Sequence, residues 1–374
     1  MKKPVVWLFT KAKDTRNLLK ISKDILVVCF VGQIAFNPLL PPPGVPVRFW
    51  INCFADIFIQ AFGLYDGTKN FLIENLNYLF DHNKTPTIHD LYRLIKSQKF
   101  SPFSRFARYQ ESALNRLSGL INSFGTTLDY PCYSLEELTQ QHVIFEIQGL
   151  SSEQQVFIVN ILLTWLYYYK LNNNDQYYNV VAIDDANLVF DKSFEHRPDH
   201  CMPIISHLVS TVRKSKVFII VVSQIPHQLG ASIHSNAFTK IMFSLANGND
   251  IDCMARSIGI SDPDQLQYLH RLGSREVLIK FSGRYQESFL AQIPEFNIFE
   301  GEVSDEEIRT NNNRILSSIP VISRPEQPHV TPPETCDKTE ALEIGPEEKA
   351  FLWDIYNRPY VPVTERYRTI YLGG

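Results

Sequence analysis

The sequence predicts an α/β fold, a mostly parallel sheet flanked by helices. Three observations carry this. Residues 142–147 (HVIFEI) and 179–183 (NVVAI) are short runs rich in β-branched and aromatic residues, separated by one helix-length segment. They read as a βαβ unit with a right-handed crossover. Residues 217–222 (VFIIVV) are a third such run, apolar enough to be buried on both faces. The stretch NVVAIDDANLVF passes directly from apolar residues to two carboxylates, Asp184 and Asp185. That places an acid pair at the carboxyl edge of a parallel sheet, where open α/β sheets bind ligands.

In chain order, residues 4–10 (PVVWLFT) form a strand, then a polar and basic connection (KAKDTRNLL) leads to a second strand at 24–30. FNPLLPPPGVP follows; its five prolines and one glycine enforce an extended, turn-rich connection. A helical insertion of about residues 50–130 comes next, with helices over 50–62 and 66–80. Asp66 is a candidate N-cap, and Phe71, Leu72, Leu76, Leu79 and Phe80 share one face. Residues 87–124 read as at least two amphipathic helices carrying Arg93, Lys96, Lys99, Arg105, Arg108 and Arg116 among Phe100, Phe103, Phe106 and Tyr109. Basic residues interleaved with aromatics invite a nucleic-acid reading. A solvated helical face over an aromatic core is the favoured one, since charge on a helix face is usually solvation.

Ser152 followed by Gln155 fits a capping box for the helix after the 142–147 strand. That helix is apolar around nearly its whole circumference and so is expected to be buried. Beyond the acid pair, residues 194–215 hold a helix ending in Arg213-Lys214-Ser215-Lys216. After the 217–222 strand come a short helix end with a strand in SNAFTKIMFSL, helices at 250–258 and 262–272, and a β-hairpin pairing 276–281 with 288–293. From about 300 the composition becomes polar, then Pro-rich and acidic, as expected of an exposed linker over 301–345. Residues 346–374 carry one amphipathic helix and the start of another.

Composition narrows the class. With 374 residues and 44% hydrophobic content, the chain can bury a sizeable core. A net charge of −4 excludes a generally basic protein but not a local basic lining. The six cysteines include no C-x-x-C, so neither a zinc site nor a disulfide framework is suggested. No signal peptide and no apolar run of membrane-spanning length is evident, so a soluble cytoplasmic protein is the default.

An apolar strand ending in two acids is also the Walker B pattern of nucleotide hydrolases. There one acid holds Mg²⁺, often through water, and the next residue polarises the attacking water. Taken alone the pattern is weak, because Asp-Asp-Ala-Asn also suits a polar turn. Its neighbours strengthen it. FTKAKDTRNLL, FNPLLPPPGVP, HVIFEIQGLSSEQQ, VVAIDDANLVF, TVRKSKVFIIVVSQIP and SNAFTKIMFSLANGNDIDCMARSIG occur in the order and spacing found in HerA/FtsK-type ATPases of the HerA-like branch. The resemblance spans about residues 4–296. It implies a RecA-like sheet in a hexameric ring that moves double-stranded DNA using ATP and Mg²⁺, in some members with a nuclease partner.

The resemblance also implies roles for particular residues. Asp184 matches the Mg²⁺-associated, cofactor-binding acid. Asp185 stands where the family usually has a catalytic glutamate, and Gln224 where it has a γ-phosphate sensor. Arg213 matches a recurrent arginine near the nucleotide. Aspartate is one methylene shorter than glutamate, and a water displaced by about 1 Å costs on the order of 100-fold in rate. The largest departure is that no G-x-x-x-x-G-K-[ST] occurs in the 374 residues. In the family that loop precedes the strand matching residues 4–10, so the chain reads as a fragment lacking its phosphate-binding loop. The C-terminal residues resemble the first half of a winged helix, truncated before any recognition helix; a helical tail fits equally. The alternatives to an ATP-driven motor are a non-catalytic RecA-like scaffold and a small-molecule enzyme using the paired aspartates. The last lacks an accompanying nucleophile, cofactor loop or metal-ligand cluster.

Overall fold

The structure, a computed structural model, describes residues 4–11, 13–29, 36–130, 133–173, 177–195, 209, 211–260, 262–285, 287–296, 301 and 303–321. The readings made for residues 322–374, including the winged helix and most of the linker, lie outside the described residues.

Strands β1 (Val5–Thr10), β2 (Ile25–Cys29), β3 (His142–Glu146), β4 (Asn179–Ile183) and β5 (Val217–Val221) form an all-parallel sheet in the order β2-β3-β1-β4-β5. The register aligns Trp7 with Val143 and Val181, and Val181 with Ile219. Side chains alternate along each strand. Val5, Trp7, Phe9, Val143, Phe145, Val181, Ile183 and Val217 therefore share one face, which is the main core.

Helices α1 (Val47–Phe62), α2 (Asp66–His82), α3 (Ile88–Ser97), α4 (Arg105–Phe124), α5 (Leu135–Leu138) and α6 (Ser152–Asn172) come next. α1 ends at Gly63, whose φ of 65° suits a left-handed cap that a side chain would strain. α6 begins one residue before the expected box. Ser151 caps it, accepting from the Gln154 N–H, while the Gln154 side chain accepts from the Ser151 N–H. Likewise Tyr65 is the cap residue of α2, and Asp66 is already helical. α6 is buried all round over Gln154–Leu166, with α1 packed along it, and Phe157 sits among the rings of Phe54, Phe58 and Phe62.

The insertion's aromatics are mostly core. Phe71, Phe100, Phe106 and Tyr109 form successive ring contacts. Tyr109 lies so close to Gly67 that a Cβ there would overlap its ring. Phe103 stands outside this cluster and is exposed.

After β4 come α7 (Asn187–Phe190) and α8 (Lys192–Glu195), then a 3-10 helix (Val212–Ser215) leading into β5. Helices α9 (Ala231–Asn236), α10 (Gly248–Ile258) and α11 (Pro263–Leu269) accompany a second, antiparallel sheet. Its strands are β6 (Thr239–Met242), β7 (Glu276–Phe281) and β8 (Phe289–Gln292), in that order, as the hairpin pattern predicts.

Residues that composition assigns to a linker form α12 (Asp305–Leu316), docked on β2. The Asn312 amide accepts from the Val27 N–H at 3.1 Å and donates to the Val27 carbonyl at 2.6 Å, and Asn311 donates to the Ile25 carbonyl at 2.8 Å. The asparagines that make the stretch look solvated thus take the place of a neighbouring strand and close that edge of the sheet. Ile308 and Val303 join Leu19, Val27 and Ile144 in a small core on the second face of the sheet.

Candidate nucleotide site at the carboxyl edge of the sheet

Because the five strands are parallel, their carboxyl ends share one edge. β1 runs into Lys11, β3 ends at Glu146, β4 runs into Asp184 and Asp185, and β5 runs into Ser223 and Gln224. Asp184 is fixed by its backbone, its N–H donating to the Phe9 carbonyl at 3.0 Å. Its carboxylate accepts from the Asp185 N–H at 3.0 Å. Asp185 has a φ of 49°, a left-handed conformation that aspartate tolerates better than most side chains. The turn points its carboxylate at Lys11, whose Nζ lies 3.5 Å away in a partly exposed pair.

Asn187 joins the ends of β4 and β5. It accepts from the Ser223 hydroxyl and donates to the Ile225 carbonyl at 2.7 Å, and Ser223 accepts from the Ile225 N–H at 3.0 Å. Gln224, between them, has its backbone held in place and its side chain exposed.

Burial pushes the Asp184 carboxyl above its ordinary range. The Asp185 N–H opposes that shift, the charges of Asp185 and Asp14 add to it, and Lys11 weakly offsets it. The folded chain therefore holds this proton at pH values where the unfolded chain has released it, so ionised Asp184 costs stability as pH rises through the folded value. Asp184→Asn is expected to raise the unfolding midpoint at pH 7. The gain should shrink as pH falls toward about 3.9, the ordinary aspartate value. Thermal melts of both proteins from pH 4 to 7.5 check this; a gain that does not vary with pH would contradict it.

At the same sheet edge, with β1 between it and the acid pair, lies a group that sequence reading missed. Arg16, in a 3-10 helix over Asp14–Lys20, is buried and grips both oxygens of buried Glu146, the last residue of β3, with Nη2 to Oε2 at 2.6 Å. Its Nη1 donates to Asp305, the first residue of α12, at 2.5 Å. Glu146 holds the guanidinium firmly protonated against the opposing effect of burial. The only local signal was an acid ending an apolar strand, and nothing in the sequence says what would pair with it.

The structure thus brings Asp184, Asp185 and Gln224 to one edge. Arg213 lies in the 3-10 helix before β5, at the opposite end of that strand from Gln224; its side chain is outside the described residues. Among the described residues no group of three or more His, Cys, Asp or Glu could hold a metal ion. Two adjacent carboxylates still suit Mg²⁺, which commonly takes one or two from protein and the rest from water and phosphate. Cys29, Cys53 and Cys253 are free thiols, and among the described residues no helix is long and apolar enough to cross a membrane.

A parallel five-stranded sheet of this order, flanked by helices, is a fold that solved structures share at low sequence identity. VirB4 of Thermoanaerobacter pseudethanolicus shares it, with a TM-score of 0.59 over 79% of this chain and 82% of VirB4 at 14% identity. The plasmid coupling protein TrwB, solved in complex with ADP and Mg²⁺, shares it with a TM-score of 0.53 over 80% of this chain and 87% of TrwB at 8% identity. No protein-family model and no curated protein matches the sequence.

Proposed function

We propose that this chain is a motor subunit of the HerA/FtsK type, an ATP-driven translocase of double-stranded DNA that works as a hexameric ring. The observation that carries the reading is the convergence of Asp184 and Asp185 on β4 with Gln224 on β5, at one edge of a parallel sheet. Asp184 would hold Mg²⁺, which would neutralise phosphate charge when bound. Its carboxylate, pushed above the ordinary range by burial and by the charges of Asp185 and Asp14, suits such a cation. Asp185 is the candidate general base, and releasing it from Lys11 would free its carboxylate for water. Gln224 can both donate to phosphate and accept from water, and Asn187 sets where its backbone sits. Arg213, matched by the resemblance to a cofactor-binding arginine, stands at the other end of β5 from these three.

Residues 1–374 contain no G-x-x-x-x-G-K-[ST]. In this reading the backbone cradle that binds the β- and γ-phosphates would be supplied by other polypeptide. Calorimetry of the purified chain with Mg²⁺ is expected to show no saturable ATP binding below millimolar concentration. Binding that disappears in Asp184→Ala would mean these residues build their own cradle. If addition of a cradle-bearing polypeptide produces no Asp184-dependent binding either, the chain is a non-catalytic scaffold and the motor reading fails.

A further inference from the structure

The segment that carries Gln224 is held from two sides. On the β5 side, Asn187 and Ser223 fix the backbone of residues 223–225. The next residues, Pro226–Gln228, form a 3-10 turn. One oxygen of Asp250, on α10, accepts from the His227 N–H at 3.0 Å and lies 2.7 Å from His227 Nδ1. A carboxylate only accepts, so Nδ1 carries the hydrogen. The Pro226 carbonyl faces His234 Nε2, on α9, at 2.9 Å, and by the same reasoning that nitrogen donates. α9 is itself fixed, since Glu195 accepts from the Ala231 and Ser232 N–H groups at 2.9 and 3.2 Å.

Asp250 is almost wholly buried, and a carboxylate is kept in such a place only when it is paired. Helix capping does not account for it. In α3, α6 and α12 the side chain at the third helical position returns to the N–H of the cap residue. α10 is capped by Asn247, which accepts from the Asn249 N–H, and Asp250 at its third position is turned to His227 instead. The helix dipole does not account for the burial either, because an exposed acid in the first turn gains the same attraction. The rest of α10 is anchored. Ile251, Ala255 and Ile258 pack with Met242 of β6 and Leu278 of β7. Asp250 therefore ties the turn after Gln224 to the core under the antiparallel sheet.

We propose that Asp250 is a positioning residue for Gln224. Acting through His227, it sets the path by which residues 223–228 leave the sheet edge. The Gln224 side chain is exposed, so its place relative to Asp184 and Asp185 follows from that path. Asn187 and Ser223 hold the segment to the parallel sheet, and Asp250 holds it to the antiparallel one. The sensing role of Gln224 rests on the function proposed above; the control of its position by Asp250 does not.

The test measures backbone ¹⁵N relaxation at Gln224 and Ile225, and amide exchange at His227, in the perdeuterated full chain. In the parent the order parameters of Gln224 and Ile225 should be those of rigid backbone, about 0.85, and in Asp250→Ala they should fall below about 0.6. The His227 N–H should exchange about tenfold faster or more, as expected on losing a hydrogen bond to a charged group. Asp250→Asn keeps an acceptor oxygen in place and should restore rigidity. His227→Ala, at a partly exposed position, cuts the link from the other side and should loosen Gln224 as well, so the result does not hang on one variant folding. Leu269→Ala, which opens a cavity in the same core from α11, should lower the melting temperature and leave Gln224 rigid. Where a cradle-bearing polypeptide gives ATP turnover, Asp250→Ala should lower kcat and leave KM nearly unchanged. Gln224 mobile in the parent, rigid in both Asp250→Ala and His227→Ala, unrestored by Asp250→Asn, or equally mobile in Leu269→Ala would each overturn the proposal. If no preparation binds ATP, the motor reading fails, and the relaxation data still decide the positioning.

Discussion

Arg16→Leu is expected to destabilise the protein by about 3–5 kcal/mol, the usual cost of leaving one member of a buried ion pair without its partner. Arg16 donates to both Glu146 oxygens, and Glu146 lies almost wholly buried at the end of β3. Without the guanidinium, the carboxylate must either take up a proton or drag water into the sheet edge. The same substitution frees Asp305, whose carboxyl Arg16 holds below its usual range. α12 would then keep its asparagine bonds to β2, the Val303 and Ile308 contacts, the Arg314 contacts to Lys23 and Asp24, and buried Ile315. Urea unfolding should show a lower midpoint, and protease should cut near residue 305 sooner. The double variant Arg16→Leu with Glu146→Leu separates the causes. If the loss comes from an orphaned charge, the second change restores most of the stability; if the pair itself supplied net stabilisation, it does not.

Phe157→Ala is the second large effect, again about 3–5 kcal/mol, from lost burial plus the cavity that remains. The Phe157 ring is fully buried on α6, with centroids of Phe54, Phe58 and Phe62 at 5.9, 6.1 and 5.8 Å. Three aromatic neighbours on one helix cannot all shift to refill the space, because their spacing is set by α1. Hydrogen exchange is expected to accelerate in α1 and α6 before the β1–β4 strands. A uniform acceleration across the sheet would mean that the insertion and the sheet open as one unit.

Much of the architecture was legible locally. The strands at 142–147, 179–183 and 217–222 were visible because a buried parallel strand must be apolar on both faces. The burial of α6 followed from its apolar circumference, and the closing hairpin from its alternation and its turn at Ser282-Gly283. Asp184 and Asp185 could be placed at the carboxyl edge because two acids directly follow such a strand. Caps were read less sharply: Ser-x-x-Gln occurs in two overlapping frames at 151–155, and only the backbone path chooses Ser151.

What only the tertiary structure decided is how distant pieces meet. Arg16 pairs with Glu146 across 130 residues and with Asp305 across 289, and Asn312 reaches Val27 across 285. Periodicity and capping are signals between near neighbours, so they locate elements and faces. They carry no information about which edge a polar helix will close. The sequence by itself therefore determined the strands, the buried helix and the acid pair. The sheet order, the closed β2 edge and the tie between Asp250 and His227 depend on contacts that exist only once those elements are packed together.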